Sequence, residues 1–556
     1  MKNFLKHLIR TLISLVIIFL NFYFTLPALN PRSTEFWSFL IFSIVVFIVV
    51  NFFSEIIRLI KNHTKKTAIP FTAKDNFKSI LKSFSLPVKI LVAAIAAMIL
   101  VVITGSVIGA EIFNAKRYHD LIEFKDADFV SDVAEIDRSQ IPVVDRDTSE
   151  RLGQRKLGEM SDLVSQFVIA NDYTQINYKG RPTRVTPLSY GDPIKWFNNQ
   201  KNGIPAYLTI DMTTQETSLI RLKEGIKYSN SEYFMRNLSR HLRFNYPTKI
   251  FDTVSFEIDD NGTPYWVASV VKYRIGIWSG KDIGGVVLVN AINGECEYFD
   301  IKDVPTWIDQ AYDSDMILNQ LNYNGKYRSG YFNSIFGQKG VLQATDGYNY
   351  LAINDDVWLY TGMTSVTSDE SNVGFVLVNL RTKETRYYAV PGAEEYSAME
   401  SAEGQVQHLG YNSTFPLLLN ISNRPTYFMS LKDSAGLVKM YAFVDVQQYQ
   451  IVGTGNSIEA ARKDYMNKLN QDDVASEDIK AQSVKGNVEA ISPAVLNGNT
   501  TYFIKLSGSE NIYSAPITLS QELAFLKAGD SVEIEFTQLD STITVSKVTI
   551  LPEKVL

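Results

Sequence analysis

The sequence predicts a membrane-anchored α+β protein with three transmembrane helices, then repeated modules of a helix on an antiparallel sheet, and a C-terminal β-barrel. Three observations predict it. Three apolar runs, each close to the ~20 residues needed to cross a hydrocarbon core, lie within the first 110 of 556 residues. No later run is long enough to cross. From Ile204 onward, short alternating apolar segments and turn residues recur, with helical patterns between them.

The first run is Leu8 to Leu29, with Arg10 its only charge. A cleaved signal peptide is the competing reading, since Lys2, Lys6 and Arg10 make a basic start. Length and the bulky Phe22, Tyr23 and Phe24 at its far end favour a retained helix. Phe36 to Ile57 is the second run and Pro87 to Ala110 the third. The loop 58–86 carries Arg58, Lys61, Lys65, Lys66, Lys74, Lys78 and Lys82 against Asp75. Basic loops stay cytoplasmic. The sequence therefore predicts a multi-pass cell-membrane protein with a cytoplasmic N-terminus and an extracytoplasmic C-terminal domain. Lys74, Lys78 and Lys82 recur every fourth residue, as on one face of a helix. They either rest on anionic headgroups of the bilayer or start a solvated helix.

In the third run Ala93, Ala97, Gly105 and Gly109 form a ridge of small residues, with Val101 in the gap. Such ridges let helices approach closely. Packing on the first two crossings is the favoured use, and a homo-oligomer contact between two chains is the other.

Charge divides the chain. Residues 1–110 hold 12 Lys and Arg against 3 Asp and Glu; the rest holds 42 against 57. An acidic soluble part argues against nucleic acid as its partner. Cys296 is the single cysteine, which excludes an intrachain disulfide and a cysteine metal cluster.

Residues 111–203 read as a polar stalk, to Val144, and a helical segment, Asp147 to Phe167. The next two spans, 204–330 and 331–470, read as two copies of one module. The first contains a helix from Asn230 to Tyr246, strands at 254–258 and 265–271, a hairpin at 285–301, and a helix from Pro305 to Leu321. The second contains a helix from Ala393 to Leu409, strands at 417–421, 427–431, 440–444 and 449–452, and a helix from Ser457 to Leu469. One hairpin grammar recurs at 206–222, with a Thr-Thr-Gln turn, and at 285–301 and 374–390, each of these two an apolar strand, a polar residue, a turn with Glu and an aromatic strand.

The strand-turn-strand VLVNAINGECEYFD, with its neighbouring helices, resembles the PepSY or cystatin-like modules of exported bacterial proteins. The blocks SQIPVVDRDTSERLGQRKLGEMSDLVSQF, YGDPIKWFNN, DVPTWIDQAY, NSIFGQKG and VQHLGYNSTFPLLLNI resemble a group of uncharacterised membrane-anchored proteins of Gram-positive bacteria. That resemblance covers about residues 110–470 and implies no activity and no site residues.

A polar linker, 470–477, leads to a last domain, 471–556. It shows five strands at 483–490, 501–506, 512–517, 531–538 and 543–551, with a short helix at 520–526. This order resembles an OB-fold barrel. With 6 Lys, no Arg and 10 Asp and Glu over 476–556, it lacks the basic groove that binds single strands.

No metal-binding histidine spacing, nucleophile elbow or phosphate loop is present among the motifs sought. Asp259–Asp260 and Asp355–Asp356 are adjacent acids beside turn residues, and His241 lies between basic residues on a helix. No catalytic, cofactor or metal residue is assigned. The leading expectation is a non-enzymatic binding or scaffold protein of the bacterial cell envelope that meets another envelope protein or a cell-wall polymer. The alternative is an envelope enzyme, or a regulator of one, with a site assembled from scattered residues.

Overall fold

The computed structural model describes residues 2–64, 85–133, 135, 141–353, 355–366, 368–476, 482–496, 499–509, 511–517, 519–539 and 542–551. Lys74, Lys78 and Lys82 lie outside the described residues. The chain divides into two compact units, residues 1–465 and 466–556.

Three helices open the first unit: α1 (Lys2–Thr25), α2 (Thr34–Thr64) and α3 (Leu86–Ile108). All three contain a stretch long and apolar enough to cross a membrane. Asn51 of α2 donates to Ser14 of α1 at 3.0 Å, one of the few polar contacts between them. Two such side chains in an apolar setting satisfy each other.

The stretch after α3, read as a stalk, forms α4 (Glu111–His119), β1 (Lys125–Asp126) and the single turn α5 (Phe129–Asp132). Its apolar residues Tyr118, Leu121, Ile122 and Phe129 are buried, and the Tyr118 hydroxyl donates to the Gly109 carbonyl at 2.8 Å. The alternation of acids and apolar residues is therefore that of a segment with one face packed.

Four helix-and-sheet units follow. The first has α6 (Arg146–Gly158), β2 (Phe167–Ile169), β3 (Thr174–Tyr178), β4 (Arg181–Tyr190), α7 (Pro193–Asn199), β5 (Ile204–Asp211) and β6 (Thr217–Ile226). Its sheet runs β2-β4-β5-β6, with β3 also on β4. Residue 204, where the sequence marks a module start, is the first residue of β5, within this sheet. Helix α6 stops at Gly158, well before Phe167, because residues 160–166 turn back to bring Leu163 into the core.

The second unit has α8 (Leu238–Asn245), β7 (Phe251–Ile258), β8 (Pro264–Ile275), β9 (Ser279–Asn290) and β10 (Cys296–Asp300), a meander in the order β10-β9-β8-β7. The third has α9 (Ser314–Tyr327), β11 (Leu342–Ala344), β12 (Asn349–Ile353), β13 (Asp356–Ser365), β14 (Ser368–Asn379) and β15 (Thr385–Tyr388). Strand β1 joins its edge in parallel with β15. Helix α9 begins at Ser314 rather than at Pro305, where Asp313 accepts from the Met316 amide and caps it. The fourth has β16 (Gly392–Ala393), which pairs back to β14, then α10 (Glu395–Gln405), β17 (Asn412–Ser413), β18 (Leu417–Ile421), β19 (Arg424–Lys432), β20 (Val438–Asp445) and β21 (Val452–Gly455). Helix α11 (Ile458–Ser476) follows and takes in most of the span read as a linker.

One turn recurs in all four sheets. Asp211, Asn290, Asn379 and Asp445 each end a strand, and each side-chain oxygen accepts from the amides two and three residues on. Asx side chains mimic a backbone turn in this way. The sequence shows this grammar at three places; at the fourth, the longer return to Ile451 hides it.

The second sheet is covered on both faces. Trp266, Ala268, Val287 and Val289 join the core of the first sheet, with Val185 and Leu208. Val267, Val286 and Leu288 join that of the third, with Ile317, Leu359 and Val376. Alternate side chains of one strand thus serve two cores.

The tip of the β8–β9 hairpin sits on α3. A Cβ at Gly105 would come within 2.6 Å of the Trp278 ring, and one at Gly109 would collide with Ser279. The two glycines are buried by this hairpin rather than by the first two helices, whereas Ala93 and Ala97 are exposed along the chain. A flat indole needs a seat without side chains, and the glycines supply it.

The C-terminal compact unit, residues 466–556, contains β22 (Gln482–Leu496), β23 (Asn499–Leu506), β24 (Ile512–Pro516), β25 (Ser531–Leu539) and β26 (Thr542–Ile550) in the order β24-β23-β22-β25-β26, with a 3-10 turn at Gln521–Phe525. The sheet is antiparallel throughout, and among the described residues β24 and β26 remain unpaired edges.

Replacing Gly105 and Gly109 with Leu is expected to unseat the hairpin and lower stability by about 1–3 kcal/mol, the usual cost of overpacking. Thermal unfolding of the detergent-solubilised chain measures it. An unchanged melting temperature would mean that the hairpin does not depend on the seat.

Candidate binding cleft

The first unit contains a cleft of about 530 Å³ where its sheets meet. Gln175 of β3 and Arg184 of β4, directly paired across their hairpin, line it. Tyr348, Tyr350 and Phe415 supply an aromatic wall, and Asp145, Asp172 and Asp313 carry carboxylates into the lining.

Arg184 is the unusual residue. It is 8% exposed, and it forms no ion pair with any described residue. Its Nη2 donates to Gln175 Oε1 at 3.3 Å. Its Nε and the Gln175 Nε2 have no partner among the described residues. Since Gln175 Oε1 is held by the arginine, the amide orientation is fixed and Nε2 remains a free donor. Burial pushes the guanidinium below its ordinary range, yet arginine keeps its proton in proteins. Asp145 in the same lining acts on it electrostatically without forming an ion pair, and a buried cation without a paired counter-charge costs several kcal/mol. The cleft is thus rich in unsatisfied donors and suited to a group that brings acceptors.

The carboxylates have structural work. Asp145 caps α6 through the Thr148 amide at 2.9 Å and pairs with Lys432. Burial raises its pKa, but Lys432 and Thr148 outweigh burial and leave it below the usual range. Asp313 caps α9, and burial pushes it up. Burial also pushes up Asp172, against a hydrogen bond with Asn230.

Behind one wall lie Glu257 and Asp309, both fully enclosed. Glu257 accepts from Ser255 Oγ at 2.9 Å and from the amides of Asp309 at 2.9 Å and Gln310 at 3.1 Å. Asp309 Oδ2 accepts from the Asn177 amide at 2.6 Å, while Oδ1 has no partner among the described residues. Burial pushes Glu257 up to about 7. Burial, then the charge of Glu257, pushes Asp309 well above the carboxylate range.

Other candidates have settled roles. Asp259 accepts from the amides of Asn261 and Thr263 in a turn, and Asp356 pairs with Arg381 at 2.7 Å. His241 bonds the Gly294 carbonyl at 2.7 Å and packs on Tyr228. A larger groove of about 740 Å³ holds Arg274 and Lys383, but both pair with Asp282. Among the described residues no group of three or more His, Cys, Asp and Glu could hold a metal ion. Of the small-residue ridge of α3, Gly105 and Gly109 belong to the hairpin seat, apart from the cleft, and Ala93 and Ala97 are exposed. Sequence reasoning passed over Arg184; the available signal was a cation in the middle of the strand-like Thr-Arg-Val-Thr-Pro-Leu.

A carboxyl whose folded pKa is raised stabilises the fold at low pH, fully below its unfolded value near 4. That stability is lost as pH rises through about 7 for Glu257. Asp309→Asn keeps the acceptor for Asn177 and removes one charge of the pair. It is expected to flatten the fall in melting temperature between pH 5 and 8, followed by circular dichroism. An undiminished pH slope would exclude the pair as its source.

No protein-family model matches the chain, and no curated protein sequence matches it; function rests on the geometry.

Proposed function

We propose that the chain is a membrane-anchored extracytoplasmic binding protein of the bacterial cell envelope. In this reading the Arg184 cleft takes an acceptor-rich segment of another envelope protein or of a cell-wall polymer. The observation that carries it is the unpaired, buried guanidinium with the free Gln175 amide beside an aromatic wall. Aromatic faces and convergent polar groups are the usual furniture of a ligand cleft. The basic loop 58–86 supports the orientation. The helix-plus-sheet repeats support the PepSY-like or cystatin-like resemblance. In the C-terminal compact unit the strand order, with a turn of helix between the third and fourth strands, supports an OB-like fold, whose closure would need β24 to pair with β26.

An envelope enzyme is the second reading, favoured by one observation: Asp172 and Asp313, both raised by burial, share the cleft. Products released from wall fragments by the purified chain would identify it.

Arg184→Leu is expected to weaken binding of solubilised cell-wall fragments or envelope proteins at least tenfold, from the ~1.5–3 kcal/mol of a charge-assisted bond. It should leave melting unchanged or raised, because it removes a buried charge that has no ion pair. A lowered melting temperature with intact binding would make Arg184 a structural residue. Orientation is tested separately. A cysteine placed at Glu400 in a Cys296→Ser background should react with an impermeant maleimide on intact cells; reaction only after lysis would reverse the topology.

A further inference from the structure

We propose that the soluble part of the first unit lies flat on its own membrane, with three apolar segments seated at the boundary between lipid headgroups and acyl chains. The inference does not depend on the Arg184 cleft or on which leaflet is involved.

The soluble part grips two apolar helices at their C-terminal ends, α1 and the α3 from which it continues. At α1, Arg243 Nε donates to the Leu26 carbonyl at 2.9 Å, the Leu29 amide donates to the Pro247 carbonyl at 2.7 Å, and Phe244 packs edge-on against Phe22 at 5.7 Å. At α3, Trp278 covers Gly105. Phe22 and Gly105 both lie inside the candidate spans, Phe4–Thr25 and Leu86–Ile108, close to their ends. Phe244 and Trp278 therefore sit at the depth of the last turn of each span. That is the level at which aromatic residues collect in membrane proteins.

Exposed apolar side chains continue outward from both grips. Arg240 lies over the Tyr23 ring and donates to the Phe234 carbonyl at 2.9 Å, which fixes the 234–236 turn beside α1. Phe234 in that turn is 65% exposed. Trp196 packs on Tyr233 and Phe234 and carries α7 alongside, where Ile194 is 70% exposed and Phe197 nearly as much. The buried Glu232 holds these two loops together by accepting from Tyr190 and Trp196, each at 2.7 Å. Beyond α3, the Tyr327 hydroxyl bonds Glu111, and Tyr327 stacks on Tyr331. The next residues include Phe332 and Phe336, the latter 81% exposed.

These large apolar side chains are each tied by a short relay of contacts to the end of an apolar span. The bilayer is the occupant already adjacent. Water-exposed aromatic loops without such ties would call for a protein partner instead.

The test places single nitroxide labels at Phe197→Cys, Phe234→Cys and Phe336→Cys in a Cys296→Ser background. The full chain is reconstituted in nanodiscs of phosphatidylglycerol and phosphatidylethanolamine, with Glu400→Cys as the reference site. Labels at the three loops are expected to meet oxygen, which concentrates in lipid, in preference to a water-soluble nickel chelate. The reference label should show the reverse. Equal preference at all four sites would overturn the proposal. So would spin–spin broadening at the loop sites, which would mean that a second copy covers them.

Discussion

The seat that Gly105 and Gly109 make for the β8–β9 hairpin is the contact on which the first unit depends. An apolar helix entering a soluble domain through a loose connection would leave that domain free to swivel. Here the last turn of α3 is packed by Trp278 and Ser279, its terminal carbonyl at Gly109 is taken by Tyr118, and α4 continues the chain into the core around Tyr323 and Tyr327. Alpha-carbon contact of this closeness needs glycine on the helix and a left-handed turn in the hairpin, which Gly276 at φ 56° provides.

From that contact the architecture proceeds by repetition. Each unit offers a helix and an antiparallel sheet, and a lone sheet of this size has one face too many to leave in water. Stacking solves the problem. The second sheet gives one set of alternate side chains to the first core and the other set to the third. Asx turns at equivalent strand ends keep the hairpins short. The cleft arises at the place where these units meet, so its lining comes from residues far apart in sequence, from Asp145 to Phe415.

That origin explains what could be read from residues alone. The three apolar helices were legible because a span needs length and purity, and both are visible in one window. The hairpins at 285–301 and 374–390 were legible because strand alternation and an Asn-led turn are local signals. The helix placed at Pro305 was misplaced because its true cap, Asp313, acts through a backbone amide rather than through apolar spacing. The ridge of small residues was visible, but its partner was not, since Trp278 lies far along the chain. Arg184 escaped for the same reason: its isolation is a property of what surrounds it after folding.

The paired strands β8 and β9 have a mechanical consequence. One end of the pair is the tip seated on α3, and the body of the same pair is the plate held between two cores. The ladder between them is interrupted by a bulge between Val270 and Val271. A tilt of α3 therefore reaches the middle of the stack along one strand pair, and the bulge is where that pair can bend to absorb part of it.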